Sequence, residues 1–139
     1  MDILSYFDFE PAGQRLEDLE TPVPVIDIDV VERNLRKWQE RCDKAGFANR
    51  PHIKTHKSVE VGRIQTAGQN GAITVSTLAE ARAFAAGGFD DITYAVPIET
   101  GKFESVFKII KSGVHLNVIT ADLTTMGLLD AAAAKASLK

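Results

Sequence analysis

The sequence contains a single cysteine, Cys42, and this scarcity excludes two classes of protein. One cysteine cannot form an internal disulfide, and a thiolate metal cluster needs several thiolates. No apolar run approaches the roughly 18 residues that a membrane-spanning helix requires. No basic region opens the chain, whose first ten residues are acidic rather than basic, so nothing in the sequence indicates secretion. These absences predict a cytoplasmic protein.

Charge of one sign is not in large excess either. The formal net charge is −3, so neither nucleic acid nor an anionic membrane surface is an expected partner. Hydrophobic residues make up 45% of the chain and charged residues 25%, which is ordinary for a globular domain. With 139 residues, the chain is long enough to bury a hydrophobic core of its own.

The apolar residues recur with periods that predict strands alternating with helices. Asp29 is predicted to cap the first helix, in a capping-box pattern with Glu32, and Gly46 to end it. Short loops between the elements indicate βαβ units on a parallel sheet, and four such units follow residue 50. Helices are predicted at about 30–45, 59–67, 78–86, 103–111 and from 121 onward, and strands at 23–28, 73–75, 91–96 and 114–119, with a further strand ending near 50–57.

One segment concentrates titratable groups, with two histidines, two lysines and an arginine in the eight residues from Arg50 to Lys57. If this segment ends a strand, the period of two places His52, Lys54 and His56 on one face. A lysine surrounded by other cationic groups is disfavoured in its protonated form. A neutral amine can act as a nucleophile and form a Schiff base with a carbonyl, above all the aldehyde of pyridoxal phosphate.

The spacing alone leaves two other interpretations open. A strand end rich in lysine and histidine is often a solvated basic loop without chemistry. His52 and His56 are also potential metal ligands, but the nearest carboxylate is Glu60 and no third ligand has an obvious spacing. From the residues by themselves, a nucleophilic lysine, a solvated loop and a metal pair all remain possible.

The order of several motifs makes one interpretation more specific. The octapeptide Arg-Pro-His-Ile-Lys-Thr-His-Lys at 50–57 resembles the cofactor-lysine motif of fold-type III pyridoxal-phosphate enzymes, in the D-threonine aldolase and metal-dependent D-serine dehydratase group. The resemblance runs from about Thr21 to the end of the chain. Val96 departs from it, because the family more often has an aromatic residue before Pro97. Further segments that match in order are 21–29, 32–35, 74–81 and 88–92.

The resemblance implies a fold and a set of site residues. Lys54 is expected to be the catalytic lysine that binds pyridoxal 5'-phosphate, with His52 and His56 as further cofactor-binding residues. The implied fold is α/β, namely the N-terminal half of a TIM-type (β/α)8 barrel as in the alanine racemase-like N-terminal domain. It is expected to be incomplete here, because a whole barrel needs about 250 residues. The expected divisions are an N-terminal arm at 1–20, a strand of a missing second (β) domain at 21–29, and a partial barrel at 30–139.

The resemblance also implies an activity. It is a pyridoxal-phosphate-dependent lyase acting on D-3-hydroxy amino acids, which cleaves D-threonine-like substrates to glycine and an aldehyde. The alternatives are a dehydratase of D-serine or D-threo-hydroxyaspartate, and a non-catalytic pyridoxal-phosphate-binding or interaction module. The full-length family uses a divalent metal whose ligands are not expected in this chain, and it is expected to form homodimers. The chain by itself is not expected to be active.

Six other residues are assigned structural roles. Thr77 and Glu80 have the spacing of a capping box, which explains both without any chemistry. Tyr94 is predicted to pack within a strand. Asp90 and Asp91 together are predicted to turn the chain, and His115 to be a partly buried histidine with its hydrogen bonds satisfied.

Overall fold

The computed structural model describes residues 13–138 of the chain. In chain order its helices and strands are α1 Ile28–Ala45, α2 Val59–Thr66, β1 Ile73–Val75, α3 Leu78–Ala86, β2 Asp91–Pro97, α4 Phe103–Lys111, β3 His115–Ile119 and α5 Leu123–Lys135. Short 3-10 turns lie at Leu16–Asp18, Ile53–Thr55 and Thr100–Lys102. Among the described helices, none is long and apolar enough to cross a membrane.

The three strands form one parallel sheet in the order β1-β2-β3. A fourth position lies beside β1, where His52 forms a parallel bridge with Thr74. The carbonyl oxygen of Pro51 accepts the Thr74 amide there, at 2.8 Å. The predicted α/β fold with parallel βα units is thus confirmed, and the arrangement is consistent with part of a barrel.

The sheet has one buried face and one open, polar face. Because side chains alternate along a strand, Ile73, Ile92 and Leu116 lie in register on the buried face. They pack with apolar side chains of α3 and α4, among them Phe84 and Val106. The half-buried row on the open face consists of His52, Thr74, Thr93 and Asn117.

The contact between α2 and α3 depends on a glycine. A Cβ atom at Gly62 would lie 2.9 Å from a ring carbon of Phe84 and 3.2 Å from one of Phe89. The two rings pack against each other with their centroids 5.3 Å apart. A side chain at position 62 would therefore push α2 away from this aromatic pair.

The segment before α1 differs from its prediction. Residues 23–27 form no strand, and α1 begins at Ile28. The cap is Asp27 rather than Asp29, because its extended backbone allows its carboxylate to accept the Val30 amide at 3.0 Å. Gly46 ends the helix in the left-handed region with a φ of 71°, as predicted. The segment's assignment to a second domain stays a prediction.

The predicted N-terminal arm lies only partly within the described residues. Positions 1–12 fall outside them, and residues 13–20 contain the short 3-10 turn Leu16–Asp18. Helix α1 itself packs loosely, since none of its residues is fully buried. The ordered core therefore lies downstream of α1, around the sheet and α2 to α4.

Candidate active site

Lys54 lies on a tight turn rather than on a strand. After the bridge at His52 the chain leaves the sheet, and Ile53–Thr55 forms a 3-10 turn. The Ile53 carbonyl accepts the amides of His56 and Lys57, at 3.3 and 2.9 Å. Ile53 is completely buried in the core and anchors the turn. Lys54 is thereby exposed at the carboxyl edge of the parallel sheet, where ligand sites of such folds occur.

The predicted shared face of His52, Lys54 and His56 is wrong. The period of two holds only while the backbone stays extended, and it ends where the 3-10 turn begins. His56 is tied to α2 instead, because its Nδ1 accepts the Ser58 amide at 3.1 Å and its Nε2 lies 3.1 Å from Gln65 Oε1. His52 therefore shares the hydrogen-bond network of Lys54, and His56 does not.

Residues 53–57, which we call the lysine turn, are closed by the hydrogen bonds to the Ile53 carbonyl. His52 joins the lysine turn to the neighbouring strand β1. Its Nδ1 accepts the backbone amide of Lys54 at 3.3 Å, and its Nε2 lies 3.2 Å from Ser76 Oγ. Burial and the nearby Lys54 ammonium lower the pKa of His52, while the Glu80 carboxylate opposes them. The neutral imidazole is favoured, as its role as a hydrogen-bond acceptor requires.

Glu80 is a buried carboxylate behind Ser76. It completes the predicted capping box with Thr77, which is confirmed, and also accepts the Ser76 amide at 2.8 Å. Its Oε1 lies 3.3 Å from Lys57 Nζ. Burial by itself raises the pKa of Glu80, but the hydrogen bonds from Ser76, Lys57 and Thr77 outweigh it and lower the pKa overall. Glu80 is thus ionised and ties the lysine turn to α3.

Besides the ion pair of Lys57 with Glu80, a second ion pair lies at the amino ends of the strands, opposite the lysine turn. Arg50 binds both carboxylate oxygens of Asp91, at 2.7 and 2.9 Å. Asn117 Nδ2 and His115 Nδ1 are 3.4 and 3.6 Å from Asp91 Oδ1. Asp91 therefore begins β2, as the strand predicted at 91–96 requires, and its carboxylate also holds Arg50, a role that the predicted turn at Asp90-Asp91 did not include. His115 is not partly buried as predicted, because its side chain is 74% exposed.

These ion pairs correct the electrostatic argument made for Lys54. Arg50 and Lys57 each face a carboxylate, so they do not form the unopposed cationic field that the sequence suggested. Lys54 itself has no ion-pair partner among the described residues. The Lys54 amine is accessible to a carbonyl compound because its side chain is exposed and no carboxylate of the described residues pairs with it. The sequence suggested repulsion by neighbouring cationic groups as the cause instead.

The remaining candidates have structural surroundings. Tyr94 is almost completely buried in the core, as predicted, with the Lys102 ammonium 5.8 Å from its ring centroid. Within residues 13–138, no three His, Cys, Asp or Glu side chains lie close enough to hold a metal ion. Sequence reasoning missed Ser76 as part of the lysine network. Its position directly after β1, where neighbouring parallel strands end together, was the available signal.

The chain is similar to enzymes that act on D-hydroxy amino acids. It is 43% identical over 101 residues to D-threo-3-hydroxyaspartate dehydratase of Delftia sp. (strain HT23), covering 73% of this chain and 27% of the relative. It is 32% identical over 125 residues to 3-hydroxy-D-aspartate aldolase of Paracoccus denitrificans (strain Pd 1222), covering 88% of this chain and 32% of the relative. The chain thus spans about a third or less of the length of these relatives. No protein-family model matches it.

Solved structures support the same relationship. A variant of D-threo-3-hydroxyaspartate dehydratase in a metal-free form superimposes with a TM-score of 0.86 and 36% identity, covering 91% of this chain and 33% of that one. An alanine racemase-like protein from Idiomarina loihiensis gives a TM-score of 0.75 with 29% identity, covering 78% and 29% of the two chains. The class is therefore that of an alanine racemase-like parallel α/β domain with a lysine at the carboxyl edge of its sheet.

The family follows from these matches and the lysine motif together. The chain is a homologue of the fold-type III pyridoxal-phosphate enzymes that include D-threo-3-hydroxyaspartate dehydratase, 3-hydroxy-D-aspartate aldolase, D-serine dehydratase and D-threonine aldolase, and it covers part of their length. The resemblance that the motifs implied is confirmed.

Proposed function

We propose that Lys54 is the Schiff-base lysine of a pyridoxal-phosphate-dependent lyase that acts on D-3-hydroxy amino acids. The observation that carries this proposal is the placement of Lys54. It lies on a short turn at the carboxyl edge of a parallel sheet, anchored by the buried Ile53, with no carboxylate paired to its amine in the described residues. The similarity to dehydratases and aldolases of D-hydroxy amino acids supports the reaction class.

The residues around Lys54 fit the aldehyde end of pyridoxal phosphate. The exposed amine is accessible to a carbonyl, and His52 holds the Lys54 amide so that the backbone of the turn keeps one orientation. When bound, the cofactor would supply an electron sink for charge that develops on the substrate α-carbon. His52 is the better supported of the two histidines, because His56 is engaged with Ser58 and Gln65.

Two reactions on related substrates fit this family. Aldol cleavage would give glycine and an aldehyde, and dehydration would give a 2-oxo acid and ammonia. Aldol cleavage is the first candidate. Dehydration is the second candidate, because the chain is 43% identical to the Delftia dehydratase and 32% identical to the Paracoccus aldolase. Both substrates share a D-configured amine and a 3-hydroxyl group. The metal-free form of a related dehydratase supports a role for a metal, whose ligands we place outside this chain. We further propose that the full-length protein is a homodimer.

To test this proposal, the purified chain is mixed with pyridoxal phosphate and any Schiff base is reduced with borohydride. The modified peptides are then mapped by mass spectrometry. We expect Lys54 to be labelled ahead of the other lysines, and labelling at this site to disappear in Lys54→Ala. Lys44→Ala, which removes an exposed lysine from the last turn of α1, is the matched control and should leave labelling of Lys54 unchanged. Equal labelling of Lys54, Lys57 and Lys44 would contradict the proposal.

A further inference from the structure

A chain of hydrogen bonds leads from the buried carboxylate of α3 to the backbone of Lys54. Glu80 Oε2 accepts the Ser76 amide at 2.8 Å. The Ser76 hydroxyl lies 3.2 Å from His52 Nε2, and His52 Nδ1 accepts the Lys54 amide at 3.3 Å. These hydrogen bonds therefore connect helix α3 to the lysine turn through Ser76, the residue after β1.

The chemistry of imidazole determines the direction of each hydrogen bond. A backbone amide can only donate, so His52 Nδ1 must be the unprotonated, accepting nitrogen. In the neutral ring the single N–H is then on Nε2, and it donates to the oxygen of Ser76. Ser76 is itself held by Glu80, whose side chain is only 9% exposed. The Lys54 amide thus fixes the tautomer, and the Ser76 hydroxyl, which can accept as well as donate, receives the Nε2 proton's hydrogen bond and holds the ring in place.

We propose that Ser76 is a positioning residue for Lys54 that acts through His52. By accepting a hydrogen bond from Nε2–H it holds the imidazole ring where Nδ1 meets the Lys54 amide, and the Nδ1 hydrogen bond sets the direction in which the lysine side chain leaves the sheet. The link to catalysis rests on the proposed function, because it matters only if Lys54 is the reactive lysine. The hydrogen-bond relay itself does not depend on that function.

The hydrogen-bond relay depends on the protonation state of His52. A protonated imidazole donates from both nitrogens and cannot accept the Lys54 amide, so the relay operates only while His52 is neutral. The charged groups that face His52 are Lys54 on its own turn and Glu80 on α3. Burial and Lys54 keep the pKa of His52 below its ordinary value despite Glu80, so the relay persists to lower pH than for a solvated histidine.

The first test is made by NMR on the full chain, without pyridoxal phosphate. Imidazole nitrogen shifts are compared in the wild type, Ser76→Ala and Ser76→Thr, with amide hydrogen exchange at Lys54 measured alongside. We expect the Nε2–H tautomer in the wild type and in Ser76→Thr, which keeps a hydroxyl. Ser76→Ala removes one of the two anchors of the ring, so it should weaken this preference and speed exchange of the Lys54 amide about fivefold.

Ser112→Ala is the matched control, because its hydroxyl donates to the Ile109 carbonyl at 2.7 Å on the remote helix α4. It should leave both the His52 tautomer and Lys54 exchange unchanged. If Ser76→Ala also leaves them unchanged while the protein remains folded, the proposal is wrong. Faster exchange throughout the chain in Ser76→Ala would likewise overturn it, since the effect would then be general destabilisation.

The second test connects the relay to chemistry. We expect Ser76→Ala to lower the ratio of borohydride-trapped Lys54 to Lys57 about threefold, and Ser76→Thr to restore it. His52→Asn keeps an acceptor for the amide two residues on but cannot reach Ser76, so its ratio should be insensitive to Ser76→Ala. A wild-type chain without preference for Lys54 would refute the proposed function, whereas the NMR comparison decides independently whether Ser76 holds the turn.

Discussion

Lys57 Nζ lies 3.3 Å from Oε1 of Glu80, so the carboxylate that caps α3 also holds the end of the lysine turn. The glutamate side chain is 9% exposed and the lysine side chain 65% exposed. Burial protects the carboxylate from water while its hydrogen bonds to Ser76 and Thr77 keep it charged. A single side chain therefore connects the start of a helix to the turn that carries Lys54.

Glu80→Ala should destabilise the protein by about 1–2 kcal/mol, because it removes a cap and leaves the Ser76 and Thr77 amides without their acceptor. Urea denaturation followed by circular dichroism measures this change. Glu104→Ala is the control: it breaks an exposed pair with Lys108 on α4 and should leave the free energy of unfolding nearly unchanged. Equal losses from the two substitutions would show that Glu80 is no more than a surface carboxylate.

Position 57 adopts a backbone conformation that favours glycine, with a φ of 52° at Lys57. Lys57→Ala and Lys57→Gly both remove the ion pair with Glu80, so their difference isolates the backbone term. We expect the glycine variant to be more stable by about 1 kcal/mol, since a Cβ is disfavoured in this region. The comparison uses midpoints of thermal unfolding, and a more stable alanine variant would contradict the left-handed turn.

Gly62→Ala should destabilise the protein by about 1–3 kcal/mol, because its Cβ would lie 2.9 Å from the Phe84 ring. Gly127→Ala in α5 is the matched control, since nothing lies within 4 Å of the added Cβ. That substitution should stabilise the helix by up to about 1 kcal/mol. Equilibrium unfolding of both variants is the measurement, and the same sign of change in both would refute the close packing of α2 on α3.

Ile53→Ala and Lys54→Ala should separate the anchor of the turn from its reactive group. Ile53 is completely buried, so its truncation should cost about 2–4 kcal/mol. Lys54 is exposed, and its truncation should change stability by less than about 0.5 kcal/mol while abolishing labelling at that site. Denaturation and peptide mapping on the same samples test both statements. A large loss of stability in Lys54→Ala would assign the lysine a structural role instead.

The ion pair of Arg50 with Asp91 predicts a pH dependence of stability. The hydrogen bond from Arg50 lowers the pKa of Asp91, and this effect outweighs the opposing effect of burial. Between the lowered pKa and the ordinary value the unfolded chain binds more protons than the folded one. Stability from Asp91 is therefore complete above its ordinary pKa and is lost as the pH falls through the lowered pKa.

Asp91→Asn should accordingly flatten the acid side of the curve of unfolding free energy against pH. Asp90→Asn, at the exposed neighbouring position, is the control and should leave the shape of the curve as in the wild type. Urea denaturation at pH values from about 2 to 7 measures both. An acid limb that is equally steep in Asp91→Asn and the wild type would show that another group causes the loss.

Local sequence determined most of the elements and the lysine motif. The capping box of Thr77 and Glu80 begins α3 as expected, and Gly46 ends α1, because these effects involve neighbouring backbone groups. The identity of Lys54 as the candidate nucleophile also came from the motif alone. At residues 23–27, in contrast, alternation suggested a strand, but the described chain provides no partner strand for it there. Alternating apolar and polar residues indicate a segment with one buried face, but a strand forms only where a neighbouring strand can make the hydrogen bonds of a sheet.

Tertiary structure decided which groups meet around Lys54. Burial of Ile53 turns the chain out of the sheet, and this separates His52 from His56 although only three residues lie between them. The pairing of Arg50 with Asp91 joins residues 41 positions apart, and Ser76 reaches His52 across 24 positions. The sequence alone predicted the parallel α/β scaffold and singled out Lys54 as the candidate nucleophile. Only the packed structure decided its partners, because hydrogen bonds and ion pairs between distant segments depend on strand register and on which side chain the core buries.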